Sequence, residues 1–83
     1  MQEEAIKEGV KKAFLATFTS LKEQDFRFDM PGEDIEEWDS LSHMGLISEI
    51  EKEFGVSMEI EEISEMDSVE NVVKVLKKKL GGG

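Results

Sequence analysis

The sequence is poor in the residue types that build cross-links, metal sites and membrane spans. It has no cysteine and a single histidine, so disulfides are excluded and a zinc site lacks its usual ligands. No run of about 18 apolar residues is present, which excludes a membrane span. A calcium loop starting at Asp25 also fails, because Arg27 stands at a ligand position and Met30 replaces the required glycine. We therefore expect no metal site and no membrane segment.

The chain is also short, with 83 residues, and such a domain buries only roughly 60% of its unfolded surface. This length leaves room for one compact core but not for an enclosed catalytic cleft, so we expect a protein that is not an enzyme. Residues 1–80 are predicted to form one domain, and the three glycines at 81–83 a flexible tail. The N-terminus is acidic and lacks a signal-peptide pattern, which favours a cytoplasmic location. We expect the domain to be a monomer.

Acidic residues are concentrated in the middle of the chain. The formal net charge is −10, and residues 33–62 contain eleven acidic residues but only one basic residue, Lys52. This segment accounts for the whole net charge, because the other nine acidic and nine basic residues cancel. Such a field repels nucleic acid and attracts basic protein surfaces. We expect partners with basic surfaces, and no nucleic acid.

Apolar residues recur at three- and four-residue steps through most of the chain, which predicts an all-α fold. The expected architecture is a small four-helix bundle, with three longer helices, one short helix and a long loop between helices 1 and 2. The expected helices span about residues 2–20, 39 or 40 to 54, 60–64 and 67 or 68 to 80. Gly55 supplies a stop for the second helix. A capping box of Asp67 and Glu70 is expected to start the last helix, with Ser68 as the alternative cap.

The long loop, residues 22–38, carries apolar side chains at intervals and a turn at Met30-Pro31-Gly32. A connection of this length in so small a domain is more often functional or core-covering than idle. We expect four side chains to pin the loop across the helices: Phe26, Phe28, Ile35 and Trp38.

The second helix is predicted to present different side chains to the core and to solvent. At about 100° per residue, one stripe faces the core and contains Leu46, Ile47, Ile50 and Phe54, with His43 inside it. Leu41, Met44 and Ser48 fall on the opposite side, beside Glu49 and Glu51. Exposed apolar side chains inside an acidic rim indicate a small partner-docking surface. The alternative is ordinary surface hydrophobes, or Leu41 folded over the end of the bundle.

The motif Asp39-Ser40-Leu41 places one serine at the predicted start of this helix. A phosphate joined to that hydroxyl would meet free backbone N–H groups and the positive end of the helix dipole. With its spacing to the glycine stop at position 55, the motif resembles the acyl carrier proteins, and the resemblance covers nearly the whole chain. Typical fatty-acid carriers have a small residue where Trp38 stands and an acid where Ser42 stands. In this respect the chain looks more like stand-alone carriers of specialised pathways, or amino-acid carriers.

The resemblance implies a carrier function in fatty-acid, polyketide or related biosynthesis. Ser40 would receive 4′-phosphopantetheine from coenzyme A through a separate phosphopantetheinyl transferase. The thiol of the arm would then hold an acyl or aminoacyl group as a thioester. Asp39 and Leu41 flank the attachment site, and Asp39 would help the transferase to position itself. By the same resemblance, the contacts to acyl- or aminoacyl-handling enzymes would come from Leu41, Met44, Ser48, Glu49 and Glu51.

Three other functions are open to this segment. Ser40, His43 and Asp39 contain the groups of a hydrolase triad, but His43 faces the core stripe and no oxyanion hole is evident. Phosphorylation of Ser40 is chemically credible, but it does not require exposed apolar neighbours. The stronger alternative is an acidic helical interaction module that binds basic partners without a prosthetic group. If the chain is a carrier, the shape of its interior decides whether the cargo tucks into the bundle or stays in solvent.

Overall fold

The structure is a computed structural model that describes residues 2–80, and the predicted glycine tail at 81–83 lies outside the described residues. The described part is all-helical, which confirms the predicted fold class. Its elements in chain order are α1 (Glu3–Thr17), the 3₁₀ turns η1 (Glu23–Asp25) and η2 (Gly32–Asp34), α2 (Ser40–Phe54), α3 (Ile60–Glu65) and α4 (Val69–Leu80). Each helix in this part of the chain is too short or too polar to cross a lipid bilayer.

Helix α1 ends at Thr17, so the expectation that it continues to Ser20 was wrong. The backbone leaves the helix at Phe18 (φ −104°, ψ 92°), whose side chain is fully buried against Phe14. Two residues later, the Glu37 carboxylate accepts hydrogen bonds from the backbone N–H and the hydroxyl of Ser20, at 3.0 and 2.8 Å. A helical Ser20 would instead donate its N–H to the preceding turn. The contact with Glu37 therefore holds Ser20 outside the helix.

The core lies between α1, α2 and α4, and the long loop closes it on one side. The apolar side chains that recur at three- and four-residue steps are mostly buried in α1 and α4, and Val75 of α4 is buried as well: Ile6, Val10, Ala13 and Phe14 in α1, and Val69, Val72, Val73 and Leu76 in α4. All four loop side chains that were expected to contact the helices pack on the core. Phe26 and Ile35 are buried, and Phe28 and Trp38 are half-buried. Burial of this apolar surface is the main stabilising contribution, at roughly 25 cal/mol per Å².

Helix α2 turns the predicted stripe towards the core. Leu46, Ile47 and Ile50 are buried, and Phe54 packs against the core half-buried. Phe54 also lies over Gly9 of α1, so closely that a Cβ on Gly9 would be 2.5 Å from Phe54 Cζ. Gly9 weakens α1 by about 1 kcal/mol relative to alanine, but it makes room for this ring. Helix α2 ends as predicted, at a glycine in the left-handed conformation (φ 65°).

Ser68, not Asp67, caps α4. The Ser68 hydroxyl accepts a hydrogen bond from the backbone N–H of Asn71 at 3.1 Å. The Asp67 carboxylate instead accepts one from the side-chain amide of Asn71 at 2.6 Å. The expected capping box of Asp67 and Glu70 was therefore wrong, because the helix begins one residue later, at the alternative cap.

Helix α3 is one residue longer than expected, and the Glu62 carboxylate in its first turn makes two stabilising contacts. The backbone N–H of Glu59 donates to the Glu62 carboxylate at 2.8 Å, which forms one half of a capping box. The same carboxylate accepts a hydrogen bond from Lys79 of α4 at 2.9 Å. The Glu59 N–H, followed by Lys79, holds the pKa of Glu62 below its ordinary value. These contacts fix α3 against α4, on the side of the molecule where α2 begins.

Candidate functional site

Ser40 is the first residue of α2 and is exposed. Within residues 2–80, the Ser40 hydroxyl neither donates a hydrogen bond nor accepts one. The cap of the helix is Asp39, whose carboxylate accepts a hydrogen bond from the backbone N–H of Ser42 at 2.9 Å. Serine is itself a common N-cap. Because Asp39 takes that role here, the Ser40 hydroxyl is left available for modification.

The start of α2 is electrostatically suited to a phosphate. Ser40 is the first residue of this 15-residue helix, so the positive end of the helix dipole lies beside its hydroxyl. The Ser42 N–H, as the largest contribution, lowers the pKa of the neighbouring Asp39. Asp39 is therefore ionised at neutral pH and keeps its capping bond, while the adjacent hydroxyl faces solvent.

Two side chains that flank Ser40 in the sequence join the loop, α2 and α3. Trp38 Nε1 lies 2.8 Å from His43 Nδ1, and His43 Nε2 lies 2.8 Å from the carbonyl oxygen of Ile63. An indole nitrogen only donates, so Nδ1 accepts from Trp38, and Nε2 carries the proton and donates to Ile63. The indole and imidazole rings are also stacked, with centroids 5.8 Å apart. We call this arrangement the Trp38–His43–Ile63 bridge.

The bridge assigns His43 a structural role. Both of its ring nitrogens are engaged, one by Trp38 and the other by Ile63. A general base must reach the hydroxyl that it deprotonates with a free nitrogen. His43 has no free ring nitrogen for the Ser40 hydroxyl, so Ser40, His43 and Asp39 do not form a catalytic triad.

An open groove of about 1060 Å³ begins at Ser40. The long loop forms one wall through Trp38, α2 contributes His43 and Met44, and Ile63 lies on the side of α3. A group attached to the Ser40 hydroxyl would therefore have free space on both sides: bulk solvent outwards and the groove along the surface of the bundle.

The outer face of α2 carries the predicted docking residues. Leu41 is 85% exposed and Met44 is 56% exposed, as the helical periodicity predicts, and Ser48 is exposed as well. Glu49 is half-buried and forms a long ion pair with Lys52, at 3.7 Å. The exposure of the two apolar side chains is confirmed, and their role in docking stays a prediction.

Two features of the neighbouring surface were missed by the sequence reasoning. Glu51, predicted to contact partners, accepts a hydrogen bond from the backbone N–H of Met58 at 2.8 Å, so it also fastens the link between α2 and α3. Ile60, at the start of α3, is 81% exposed. The only available signal for Ile60 was the spacing of Glu59 and Glu62, which places it at the first position of a capped helix.

Comparisons with known proteins agree with this geometry. A family profile described as "Phosphopantetheine attachment site" matches residues 12–76, which include all of α2. An acyl carrier protein of Petrotoga mobilis (strain DSM 10674 / SJ95) is 35% identical over 80 residues, which cover 96% of this chain and 93% of that protein. No solved structure matches the chain. The helical fold and the matched profile define a carrier that works through a prosthetic group. The chain belongs to the acyl carrier protein family.

Membership of this family assigns a covalently attached 4′-phosphopantetheine as the prosthetic group. The site fits the group, because the start of α2 presents an exposed hydroxyl, free of hydrogen bonds within the described residues 2–80, next to an open groove. When attached, the group supplies a thiol at the end of a long arm. Members of the family are carriers rather than catalysts, and they act with a phosphopantetheinyl transferase and with acyl-handling enzymes.

Proposed function

We propose that Ser40 carries the 4′-phosphopantetheine arm and that the chain presents acyl or aminoacyl groups, held as thioesters, to partner enzymes. The supporting observation is the exposed Ser40 hydroxyl, which has no hydrogen-bond partner among residues 2–80 and lies at the start of α2. A phosphodiester at this position is stabilised by the positive end of the helix dipole. The Asp39 cap does not use this hydroxyl, so the helix start is unchanged by the attachment.

The attachment is tested by intact mass after co-expression with a broad-specificity phosphopantetheinyl transferase. The wild type is expected to gain one arm, and Ser40→Ala to gain none. Ser42→Ala is the matched control, because Ser42 lies in the same turn and gives its backbone N–H to the Asp39 cap, which alanine keeps. It is expected to load like the wild type. An unmodified wild type, with the transferase active on a known carrier, would contradict the proposal and favour the acidic interaction module.

We also propose that enzymes with basic surfaces dock on the outer face of α2, through Leu41, Met44 and Ser48 with Glu49 and Glu51 at the rim. The two apolar side chains are exposed next to the attachment site. The ion pair of Glu49 with Lys52 is long and exposed on the lysine side, so it costs little to exchange for a partner's base. The acidic segment of residues 33–62 steers such partners towards Ser40.

The docking surface is tested by the rate at which partner enzymes load two variants. Met44→Glu and Glu49→Lys are expected to keep the helical circular dichroism signal and to load more slowly. Glu8→Lys is the charge-matched control, because Glu8 is exposed on a different helix, α1. Glu49→Lys should also weaken the salt dependence of association, since rim charge acts mainly on the encounter rate. If both variants load at the wild-type rate, the assignment of this face is wrong.

A further inference from the structure

The place that the cargo occupies on the loaded carrier follows from the residues behind Ser40. We propose that the Trp38–His43–Ile63 bridge closes the core to the cargo, so that this carrier holds its acyl group outside the bundle, in the groove. Such a carrier suits short or polar acyl groups rather than long alkyl chains. The inference rests on the proposed attachment at Ser40 and deepens it by naming the class of cargo.

The bridge lies between the groove and the core. Its three residues all line the groove that begins at Ser40. The side chains behind it are fully buried: Phe14 and Phe18 are 0% exposed, and neither lines the groove. The indole of Trp38 packs directly on both rings, with centroids 5.3 and 5.6 Å away. An acyl chain that leaves Ser40 therefore meets the bridge before it meets Phe14 and Phe18, and the one buried core side chain that lines the groove is Ile35 of the loop.

Two movements would open the bridge to a chain, and each breaks a hydrogen bond. Moving α3 away from α2 breaks the bond from His43 to the carbonyl of Ile63. Lifting Trp38 breaks its bond to His43 and removes its ring from Phe14 and Phe18. Polar groups at half-buried positions would lose their partners, which is unfavourable unless new partners replace them. An alkyl chain has no donor or acceptor to offer.

Backbone contacts also fix part of the groove wall. Gly32 of the loop lies against the carbonyl oxygen of Asp67, in the link between α3 and α4, and a Cβ on Gly32 would overlap that oxygen. Both residues line the groove. The loop is thus fixed to α2 and α3 through the bridge and to the following link through this contact. The loop therefore forms a fixed wall of the groove.

These contacts determine which cargo the site suits. Because the groove is open to solvent, a long alkyl chain that stays in it buries only part of its surface and gains less hydrophobic stabilisation than a chain enclosed in the core. A short acyl group, or one with its own polar groups, loses little by remaining there. The open form of the groove also leaves the thioester accessible to a docked enzyme.

The proposal is tested on carriers loaded directly from acyl-coenzyme A by the transferase, with either an acetyl or an octanoyl group. Intact mass confirms the loading, and hydroxylamine then cleaves the exposed thioester. In the wild type, the octanoyl and acetyl thioesters are expected to be cleaved within about twofold of each other and to unfold at the same temperature. A sequestered octanoyl chain would be protected by at least about tenfold, because burying two CH₂ groups already corresponds to such a factor.

Two variants open the bridge. His43→Ala removes both of its hydrogen bonds, and Trp38→Phe removes one while keeping an aromatic ring on Phe14. Each is expected to protect the octanoyl thioester and to raise the unfolding temperature of the octanoyl form above that of the acetyl form. Ser64→Ala, which lines the same groove but leaves the bridge intact, is expected to behave like the wild type.

Two results would overturn the proposal: protection of the octanoyl group in the wild type, or unchanged cleavage in both bridge variants when circular dichroism shows them folded. Trp38→Phe, the milder change, keeps the test decisive if His43→Ala does not fold. A failure of the proposed attachment is registered separately, because the mass measurement would then detect no arm on the wild type.

Discussion

The two halves of α2 are stabilised by different interactions. From Leu46 onwards, the inward apolar side chains are buried, and Phe54 fills the space over Gly9 of α1. In the first two turns, Leu41 and Met44 are exposed, and the chain is held by a cap and a hydrogen-bonded bridge. Helices in proteins gain most of their stability from packing. The buried half therefore stabilises the whole helix, which leaves the other half free to expose apolar groups and a modifiable hydroxyl.

The largest effect is expected when the buried half is compared directly with the exposed half. Leu46→Ala should lower the free energy of unfolding by about 2–5 kcal/mol, because the side chain is fully buried and its removal leaves a cavity. Met44→Ala, half a turn away and 56% exposed, should change it by less than about 0.5 kcal/mol. Urea unfolding measures both. Equal losses would mean that the two halves are stabilised alike.

Two glycines provide a second comparison. Gly9→Ala should destabilise the protein by up to about 2 kcal/mol, because the clash of the new Cβ with the Phe54 ring at 2.5 Å costs about 1–3 kcal/mol and the better helix propensity returns about 1 kcal/mol. Gly45→Ala should stabilise it by up to about 1 kcal/mol, since the helix propensity improves and the new Cβ meets only Thr17 Cγ2, at 3.9 Å. Thermal unfolding of both variants checks this. A stable Gly9→Ala protein would show that Phe54 moves aside without loss, and that the buried half is not tightly packed.

The sequence predicts the fold and the exposed half of α2 well, because both follow from local patterns. The stop at Gly55, the exposure of Leu41 and Met44 and the burial of Leu46 all come from helical periodicity and cap chemistry. The rival caps of α4 differ by one residue, and the choice between them depends on a contact between Asp67 and Asn71. A local pattern does not distinguish such neighbours.

The features that the sequence does not predict are those that join distant residues. His43 falls in the core stripe by periodicity, but its bond to Ile63 spans twenty positions and depends on where α3 lies. The contact of Gly9 with Phe54 likewise depends on the packing of α1 on α2. Helical propensity alone treats Gly9 as a weak point. The groove arises in the same way, from the relative placement of loop, α2 and α3.

A smaller effect is expected at the cap of the exposed half. Asp39→Ala should lower the free energy of unfolding, because the Ser42 N–H loses its acceptor. Asp39→Asn is the matched control, since asparagine caps about as well as aspartate. Urea unfolding at neutral pH compares the three proteins. If Asp39→Ala is as stable as Asp39→Asn, the cap does not hold this half of the helix.

The smallest effect concerns the charge of the same cap at acid pH. The Ser42 N–H lowers the pKa of Asp39 below its ordinary value of 3.8, so near that pH the unfolded chain binds more protons at this group than the folded chain does. The stabilising contribution of the ionised carboxylate is therefore complete above the unfolded pKa and is lost as the pH falls through the folded one.

Asp39→Asn has no such proton to bind, so the difference in stability between wild type and Asp39→Asn should shift against the wild type below about pH 4. The shift should be small and weaken further in salt, because Asp39 is fully exposed. Urea unfolding of both proteins between about pH 3 and pH 6 measures it. A constant difference across this range would show that the carboxylate charge adds nothing to a cap that the side-chain oxygen already provides.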